Sequence, residues 1–260
     1  MKIIIPMTGY GSRFVAAGYK NLKPFIEVQG KPIIKWIVDG MYPGEKGFIF
    51  VCRKEHLDTI PDMREKLLEI APSAQIFEID HWVKKGPVYD VLRASSVIPD
   101  DEPCIINYCD FYQHWDWARF KKEVIERGCE GCIPCYTGFH PHLLPENNLY
   151  ASCLTDEHDD LIEIREKYSF AKDKSKGKHS PGIYYFASGA ILKKYAQRQI
   201  DSGETLKGEY YASLTYNAMV QEGLKVWVPT NTDQFCQWGT PEDLKEYLFW
   251  TGTIKKYLKL

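Results

Sequence analysis

Short apolar runs alternate with amphipathic stretches along the first half of the chain. Each apolar run has the length of a buried strand, and each amphipathic stretch places apolar residues at helical spacing. Regular alternation of this kind predicts an α/β fold with a doubly wound, mostly parallel (Rossmann-like) sheet flanked by helices. The predicted strands cover residues 2–6, 48–52, 75–79 and 104–108. The predicted helices cover residues 32–38, 54–71, 86–97 and 115–127.

The second half of the chain has shorter predicted strands, which are joined by polar connectors. These strands cover residues 133–137, 149–154, 161–164 and 182–186, and helices are predicted over residues 190–202, 210–222 and 240–260. The sequence shows neither an internal repeat nor a low-complexity segment. We therefore predict a single domain over residues 1–260, with a small β elaboration added to the main sheet by the second half.

Composition narrows the class of protein. A chain of 260 residues with 44% hydrophobic content can bury one large core, and a net charge of -2 gives no basic surface for nucleic acid. The apolar runs are too short for a membrane span. Met1 and Lys2 lead into three isoleucines and a proline, which predicts a strand and not a secretory signal. We expect a cytoplasmic protein whose eight cysteines stay reduced.

Three cysteines form a C-x-x-C-x-x-C pattern at Cys129, Cys132 and Cys135. One interpretation is a zinc site, which would need a fourth ligand from a nearby histidine or cysteine. The other is a buried segment in which cysteine acts as a small apolar side chain. The second interpretation is favoured, because the paired C-x-x-C units typical of zinc sites are missing.

The first predicted strand runs without a spacer into a glycine-containing turn, Met7-Thr8-Gly9-Tyr10-Gly11-Ser12-Arg13. A buried strand followed by such a turn is where open α/β sheets bind phosphates. Glycine lets backbone N–H groups approach an anion closely, and Arg13 and Lys23 supply positive charge. The spacing fits neither G-x-G-x-x-G nor G-x-x-x-x-G-K-[ST]. The pattern predicts a polyphosphate site.

The amino-terminal residues resemble the nucleotidylyltransferases (NTP transferases), which activate sugar phosphates and similar phosphorylated metabolites. That family has a strand, then G-x-G-x-R, then Lys-Pro, then G-K-P, which stand here as Gly9–Arg13, Lys23-Pro24 and Gly30-Lys31-Pro32. The resemblance implies an NTP-binding half over residues 1–130, an acceptor-binding half over 131–239 and a carboxyl-terminal helix over 240–260. It also implies Mg²⁺ as cofactor.

The resemblance assigns roles in the NTP-binding half. Arg13 would contact the β- and γ-phosphates, and Lys23 would contact the α-phosphate or the incoming phosphate. The nucleotide would also contact Met7, Thr8, Gly9, Gly11 and Ser12 of the turn. Gly86 stands where the family has a G-T-A segment beside the base, although Pro87 replaces the usual threonine.

Asp110 follows an apolar strand, and the resemblance makes it a nucleotide-binding residue and a magnesium ligand. The alternative is an ordinary turn aspartate. A second family aspartate is missing, because Gln237 stands two residues before Gly239-Thr240-Pro241. Either Asp233 substitutes for it, or the metal is held by Asp110 and the substrate phosphates. A two-aspartate metal site is therefore an open expectation.

The acceptor side carries fewer matching residues. Glu166-Lys167 and Gly182, at the start of a Gly-Ile-Tyr run, correspond to family elements that bind the acceptor and its phosphate. The resemblance implies transfer of NMP, with CTP the favoured donor, to a sugar phosphate or a metabolite such as phosphocholine or phosphoglutamine. Pyrophosphate would be released, and the product would serve capsule or surface-polysaccharide synthesis.

Two other functions stay open from the sequence. A glycosyltransferase would use Asp110 on a nucleotide sugar but has little need of Arg13 and Lys23. A non-catalytic nucleotide sensor of the same fold would explain Gln237. The expected partners are an NTP and a phosphorylated small molecule, without nucleic acid or membrane, and a homo-oligomer is compatible with the sequence.

Overall fold

The computed structural model describes residues 1–146 and 148–258, apart from the side chain of Asp233. It contains a seven-stranded sheet in the order β13-β8-β12-β6-β1-β4-β5. Strand β12 runs antiparallel to both of its neighbours, and every other pair is parallel. The strands are β1 Lys2–Pro6, β2 Glu27–Val28, β3 Lys31–Pro32, β4 Phe48–Arg53, β5 Gln75–Ile79, β6 Cys104–Asn107, β7 Phe111–Trp115, β8 Gly131–Cys132, β9 Ser152–Thr155, β10 Leu161–Arg165, β11 Lys178–His179, β12 Ile183–Phe186, β13 Val226–Trp227 and β14 Thr232–Gln237.

The prediction of a doubly wound, mostly parallel sheet flanked by helices is confirmed. Both halves of the chain contribute strands to this one sheet. The α-helices are α1 Ser12–Ala16, α2 Ile33–Trp36, α3 Lys54–Thr59, α4 Met63–Ile70, α5 Pro87–Arg93, α6 Trp117–Arg127, α7 Gly189–Ser202, α8 Thr215–Gln221 and α9 Pro241–Leu258. A π-helical segment, Ile37–Met41, extends α2.

The period-two pattern of strand β1 divides the core into two apolar layers. Ile3 and Ile5 pack in the layer that contains α2, α4 and α6, whereas Ile4 packs in the layer that contains α5, α7 and α8. All three side chains are fully buried. Because neighbouring side chains of a strand point to opposite faces, a continuous apolar run is what a strand with helices on both faces requires.

Strands β7 and β14 form a small antiparallel sheet that the sequence analysis did not predict. The helix predicted over residues 115–127 begins at Trp117, where Asp116 caps it, and the residues before it are strand. Register pairs Phe111 with Gln237. This pairing brings the segment after β6 next to the segment before α9, and it shapes the candidate site.

Other predicted bounds differ in places where local chemistry overrides periodicity. The helix predicted over residues 54–71 is two helices, because the chain turns around Pro61. The strand predicted over 133–137 is displaced to Gly131–Cys132. Cys129, Cys132 and Cys135 are buried, and the described residues contain no cluster of three or more metal-ligating side chains. Among the described helices, none has the length and apolar character that crossing a membrane requires.

Candidate active site

Two adjoining cavities lie at the carboxyl-terminal edge of the central strands. The first, here called the loop cavity, has a volume of about 390 Å³. It is lined by every residue predicted to bind nucleotide: Met7, Thr8, Gly9, Gly11, Ser12, Arg13, Lys23, Gly86 and Asp110. The second, here called the side cavity, has a volume of about 310 Å³, and the predicted acceptor residues Glu166, Lys167 and Gly182 line it. The structure therefore brings the two predicted sets together.

The cavities meet at a small group of shared residues. Arg13 and Asp110 line both of them, as do two tyrosines, Tyr108 and Tyr211. A molecule in one cavity therefore lies against the same charged side chains as a molecule in the other. The shared boundary is the place where two bound substrates would touch.

The glycine turn is held against the segment that carries Lys23. Gly11 adopts a left-handed conformation with φ of +62° and directly precedes the short helix α1. A Cβ atom at this position would lie 3.5 Å from the Cβ of Lys23. Glycine meets the conformational requirement without strain, whereas the space here would accept a Cβ in ordinary van der Waals contact with Lys23.

A charge pair lies at the centre of the site. The Lys23 ammonium donates a hydrogen bond of 2.9 Å to Asp110 Oδ2. The side chains are 14% and 35% exposed, so both are partly screened from water and still reach the loop cavity. The pair presents a cation for phosphate and a carboxylate for a divalent ion in adjacent positions.

The far end of the loop cavity is built by residues that the sequence analysis missed. Asp90 on α5 is buried, and its Oδ2 accepts hydrogen bonds from the Thr8 hydroxyl and, at 3.2 Å, from Trp82 Nε1. Burial raises the pKa of Asp90, although both hydrogen bonds oppose the shift. The available signal was a carboxylate within the otherwise apolar run Val88–Val91.

An arginine that acts electrostatically on this carboxylate contacts two aromatic rings. The guanidinium carbon of Arg53 is 3.4 Å from the ring centroids of both Tyr10 and Trp82. Its Nε donates to the Thr8 carbonyl. Arg53 is the last residue of strand β4 and is fully buried. Its cation–π contacts and its hydrogen bond therefore connect the glycine turn and Trp82 to the central sheet.

Gly86 lies where the chain enters α5, directly against the backbone of Tyr210. Its φ is +94°, and a Cβ would lie 2.6 Å from the Tyr210 amide nitrogen. Tyr210 N–H also donates to the Lys85 carbonyl at 2.7 Å. Both the conformation and the space exclude a side chain at this position.

Replacement of Gly86 by alanine is expected to lower the free energy of unfolding by about 1–3 kcal/mol, because strained φ and backbone overlap add together. Urea unfolding measures the loss. Gly138→Ala is the matched control, since Gly138 has φ of +90° with open space around its Cα. Equal losses in the two variants would contradict a role for the contact with Tyr210.

The side cavity contains a partly shielded carboxylate beside a lysine. Glu166 accepts a hydrogen bond from the Ser213 hydroxyl, and burial raises its pKa to about 6. Lys167 has a left-handed backbone, with φ of +53°, and its Nζ is 3.3 Å from the Tyr211 hydroxyl. Gly182 packs against Tyr108 and accepts a hydrogen bond from its amide. Acidic, basic and aromatic groups thus line one cavity.

The raised pKa of Glu166 predicts a pH-dependent stability. The folded chain binds this proton more tightly than the unfolded chain, whose carboxyl has the ordinary pKa of 4.5. The stabilisation is therefore complete below pH 4.5 and is lost as pH rises through about 6. Glu166→Gln is expected to match the parent near pH 4 and to be more stable by roughly 2 kcal/mol at pH 7. Denaturant unfolding across this range measures the difference, and a gap independent of pH would contradict the prediction.

The sequence predicts two magnesium ligands, Asp110 and Asp233, and the structure describes the side chain of Asp110 alone. Asp110 lines both cavities, but the side chain of Asp233 lies outside the described residues. Gln237 donates its amide to Asp243, which also accepts from the Thr240 hydroxyl. Gln237 Oε1 is buried without a partner among the described residues. The carboxylate of Asp110 and the amide oxygen of Gln237, which lines the side cavity with it, are oxygen donors of the kind that Mg²⁺ prefers, as substrate phosphates would be.

Comparison with known proteins identifies the fold. No protein-family model and no curated protein sequence matches the chain. A nucleoside-diphosphate-sugar pyrophosphorylase from Vibrio cholerae RC9 aligns with a TM-score of 0.75 and 20% identity, over 95% of this chain and 99% of that one. An inositol-1-phosphate CTP transferase from T. maritima aligns at 0.70 and 16%, over 98% and 96%.

A third solved structure, an apo UDP-glucose pyrophosphorylase, has a TM-score of 0.72 and 14% identity, and the alignment covers 98% of both chains. The coverage is nearly complete in each comparison, so the likeness extends over both cavities and both halves of the chain. This chain therefore has the α/β fold that the solved nucleotide-sugar pyrophosphorylases and the CTP transferase share.

Proposed function

We propose that this chain is a magnesium-dependent nucleotidylyltransferase. An NTP occupies the loop cavity, and a small phosphorylated acceptor occupies the side cavity. The observation that carries the proposal is the meeting of the two cavities at Arg13 and Asp110, beside Lys23. A reaction between two phosphorylated molecules needs this arrangement, because both anions must approach the same cations.

The reaction joins an acceptor phosphate oxygen to the α-phosphorus of the NTP. The bond between the α-phosphorus and the bridging oxygen breaks, and pyrophosphate leaves with that oxygen. Arg13 is suited to the β- and γ-phosphates by its planar charged fork, and Lys23 to the α-phosphate. These residues hold and neutralise the phosphates, so the reaction needs no protein nucleophile.

Magnesium, when bound, would neutralise phosphate charge and align the reacting groups. Asp110 would hold it together with substrate phosphate oxygens. Lys23 holds Asp110 Oδ2 in place, so the carboxylate is already oriented toward the loop cavity. Asp233 is kept as the second candidate ligand on the sequence pattern alone.

The side cavity favours an acceptor that carries a phosphate and hydrogen-bonding groups. Lys167 would bind the phosphate, and Glu166 would accept a hydrogen bond from a hydroxyl or amine. Sugar phosphates, phosphocholine and phosphoglutamine all meet this description. A cytoplasmic enzyme that uses CTP for capsule or surface-polysaccharide synthesis is the specific form of the proposal, supported by the family resemblance.

Exchange of labelled pyrophosphate into each NTP, with and without candidate acceptor phosphates, tests the function. Label in one NTP that depends on magnesium supports nucleotidyl transfer. Nucleotide binding without exchange, under all acceptors, would favour the sensor. Hydrolysis or transfer of sugar from a nucleotide sugar, again without exchange, would favour the glycosyltransferase.

A further inference from the structure

The lining of the loop cavity contains a buried hydrogen-bond acceptor, an oxygen of Asp90, that no described residue satisfies. Asp90 is 2% exposed, and its Oδ1 has no partner among the described residues. Both donors that reach the carboxylate, Thr8 and Trp82, bind Oδ2. A buried carboxylate oxygen without a donor is costly, so its presence in the lining of a cavity points to a ligand that supplies one.

From this oxygen we infer which class of NTP the chain uses: a base with an exocyclic amine, as in cytosine, adenine or guanine, whose N–H donates to Asp90 Oδ1. The inference rests on the proposed function for the presence of an NTP. It adds a base-reading residue and excludes uracil and thymine nucleotides as preferred donors.

Asp90 lines the part of the loop cavity where the base of a bound NTP would lie. The phosphate-binding end is fixed by Arg13, Lys23 and Asp110. The segment that contains Asp90 contributes Trp82 and Pro87 to the lining. It also contributes one cation, Lys84, whose charge is paired with Glu209 at 2.9 Å. Flat aromatic surfaces with one convergent polar group are suited to a nucleobase.

Burial is the largest influence on the pKa of Asp90 and raises it, which favours the neutral carboxyl. Arg53 and Arg93 both act on it electrostatically in the direction that favours negative charge, and the two hydrogen bonds act in the same direction. Burial opposes them. An amine from the ligand would add a further donor to the charged form and shift the balance toward ionisation.

The chemistry of the base edge then sets the preference. An exocyclic amine donates to a carboxylate oxygen, whereas the O4 carbonyl of uracil or thymine at the same position would repel it. The ring N–H of uracil is flanked by two carbonyls, which would also face the charge. A base that leaves a buried polar group of the site unpaired is rejected strongly. This discrimination is larger than the preference that an additional apolar contact provides.

Asparagine at position 90 provides a reversal test. Trp82 Nε1 can only donate, so the amide oxygen of Asp90→Asn must occupy the present Oδ2 position. The amide nitrogen of the asparagine then occupies the present position of Asp90 Oδ1. The group that faces the base is therefore a hydrogen-bond donor in the variant and an acceptor in the parent. The variant should prefer a base with a carbonyl at that edge, such as uracil or thymine.

Equilibrium binding of CTP, ATP, GTP, UTP and dTTP, measured by titration calorimetry with magnesium and no acceptor, tests the inference. The parent should bind its best amine-bearing NTP at least tenfold more tightly than UTP or dTTP. In Asp90→Asn, the ratio of the affinity for this NTP to the affinity for UTP or dTTP should fall by at least tenfold. Asp100→Asn, the same change at an exposed ion pair with Lys193, should leave the ratio unchanged.

Equal binding of UTP by the parent would overturn the inference, as would an unchanged ratio in a folded Asp90→Asn variant. If that variant does not fold, the parent is titrated with the analogue of its tightest NTP that lacks the exocyclic amine. Affinity lowered at least tenfold supports the inference, and equal affinity overturns it. Selective binding of an amine-bearing NTP without pyrophosphate exchange would support the role of Asp90 in recognising the base and would contradict the proposed nucleotidyl transfer. Failure of every NTP to bind would reject both.

Discussion

Lys23→Ala is expected to lower turnover by about 10²–10³-fold, the effect typical of removing one group that stabilises developing charge. The ammonium donates to Asp110, which lines both cavities, and the Lys23 side chain is only 14% exposed, so water screens its charge poorly. Its removal would also leave Asp110 without the hydrogen bond that orients it. Exchange of labelled pyrophosphate, at saturating NTP and with the acceptor phosphate that supports exchange in the parent, measures the loss.

A matched control separates this effect from a general loss of positive charge. Lys54 forms an exposed ion pair with Asp58 on α3, away from both cavities, and Lys54→Ala is expected to retain full turnover. Thermal unfolding of both variants should show that they remain folded. Turnover within threefold of the parent in a folded Lys23→Ala variant would remove this residue from the proposed mechanism.

Sequence reasoning succeeded where the signal is local. Strands Lys2–Pro6 and Gln75–Ile79 have the bounds that their apolar runs predict. The glycine turn lies between the first strand and helix α1, where the spacing of its glycines predicts it. In such segments, chain geometry and chemistry are set by neighbouring residues, so the sequence contains the information that places them.

Contacts between distant segments were not predictable in the same way. Strands β7 and β14 are separated by more than a hundred residues, and the aromatic residues Phe111–Trp115 carry no sign of their partner. The hydrogen bond from Thr8 to Asp90 spans 82 positions. Each pairing depends on how the sheet brings its strand ends together, and a single sequence does not specify that register.

The base-reading end of the loop cavity is missed for the same reason. Arg53 ends strand β4, whereas Trp82 and Asp90 both come after strand β5, and each has an ordinary explanation when it is considered alone. The folded structure alone shows that Arg53 contacts two aromatic rings and that one carboxylate oxygen of Asp90 has no hydrogen-bond partner among the described residues. Family resemblance pointed to Gly86, which lies in the same cavity, but it could not indicate side chains that the family motif does not contain.

Asp110→Asn is expected to reduce turnover by about 10²-fold or more and to raise the magnesium concentration needed for half-maximal rate. The amide keeps the size of the side chain but removes the charge that a divalent ion requires. Its oxygen can still accept from Lys23, so the local structure should be retained. Exchange rates at increasing magnesium concentration, together with thermal unfolding, measure both effects.

Two roles of Asp110 can be distinguished by the double variant. If the carboxylate only positions Lys23, then Lys23→Ala with Asp110→Asn should be no slower than Lys23→Ala alone, because the positioned group is already absent. If Asp110 also binds magnesium, the second substitution should lower the rate further and raise the magnesium concentration needed for half-maximal rate. Asp116→Asn serves as the matched control, because Asp116 caps α6 and belongs to the lining of neither cavity. Unchanged magnesium dependence in Asp110→Asn would leave Lys23 as the functional member of the pair and assign the metal to other ligands.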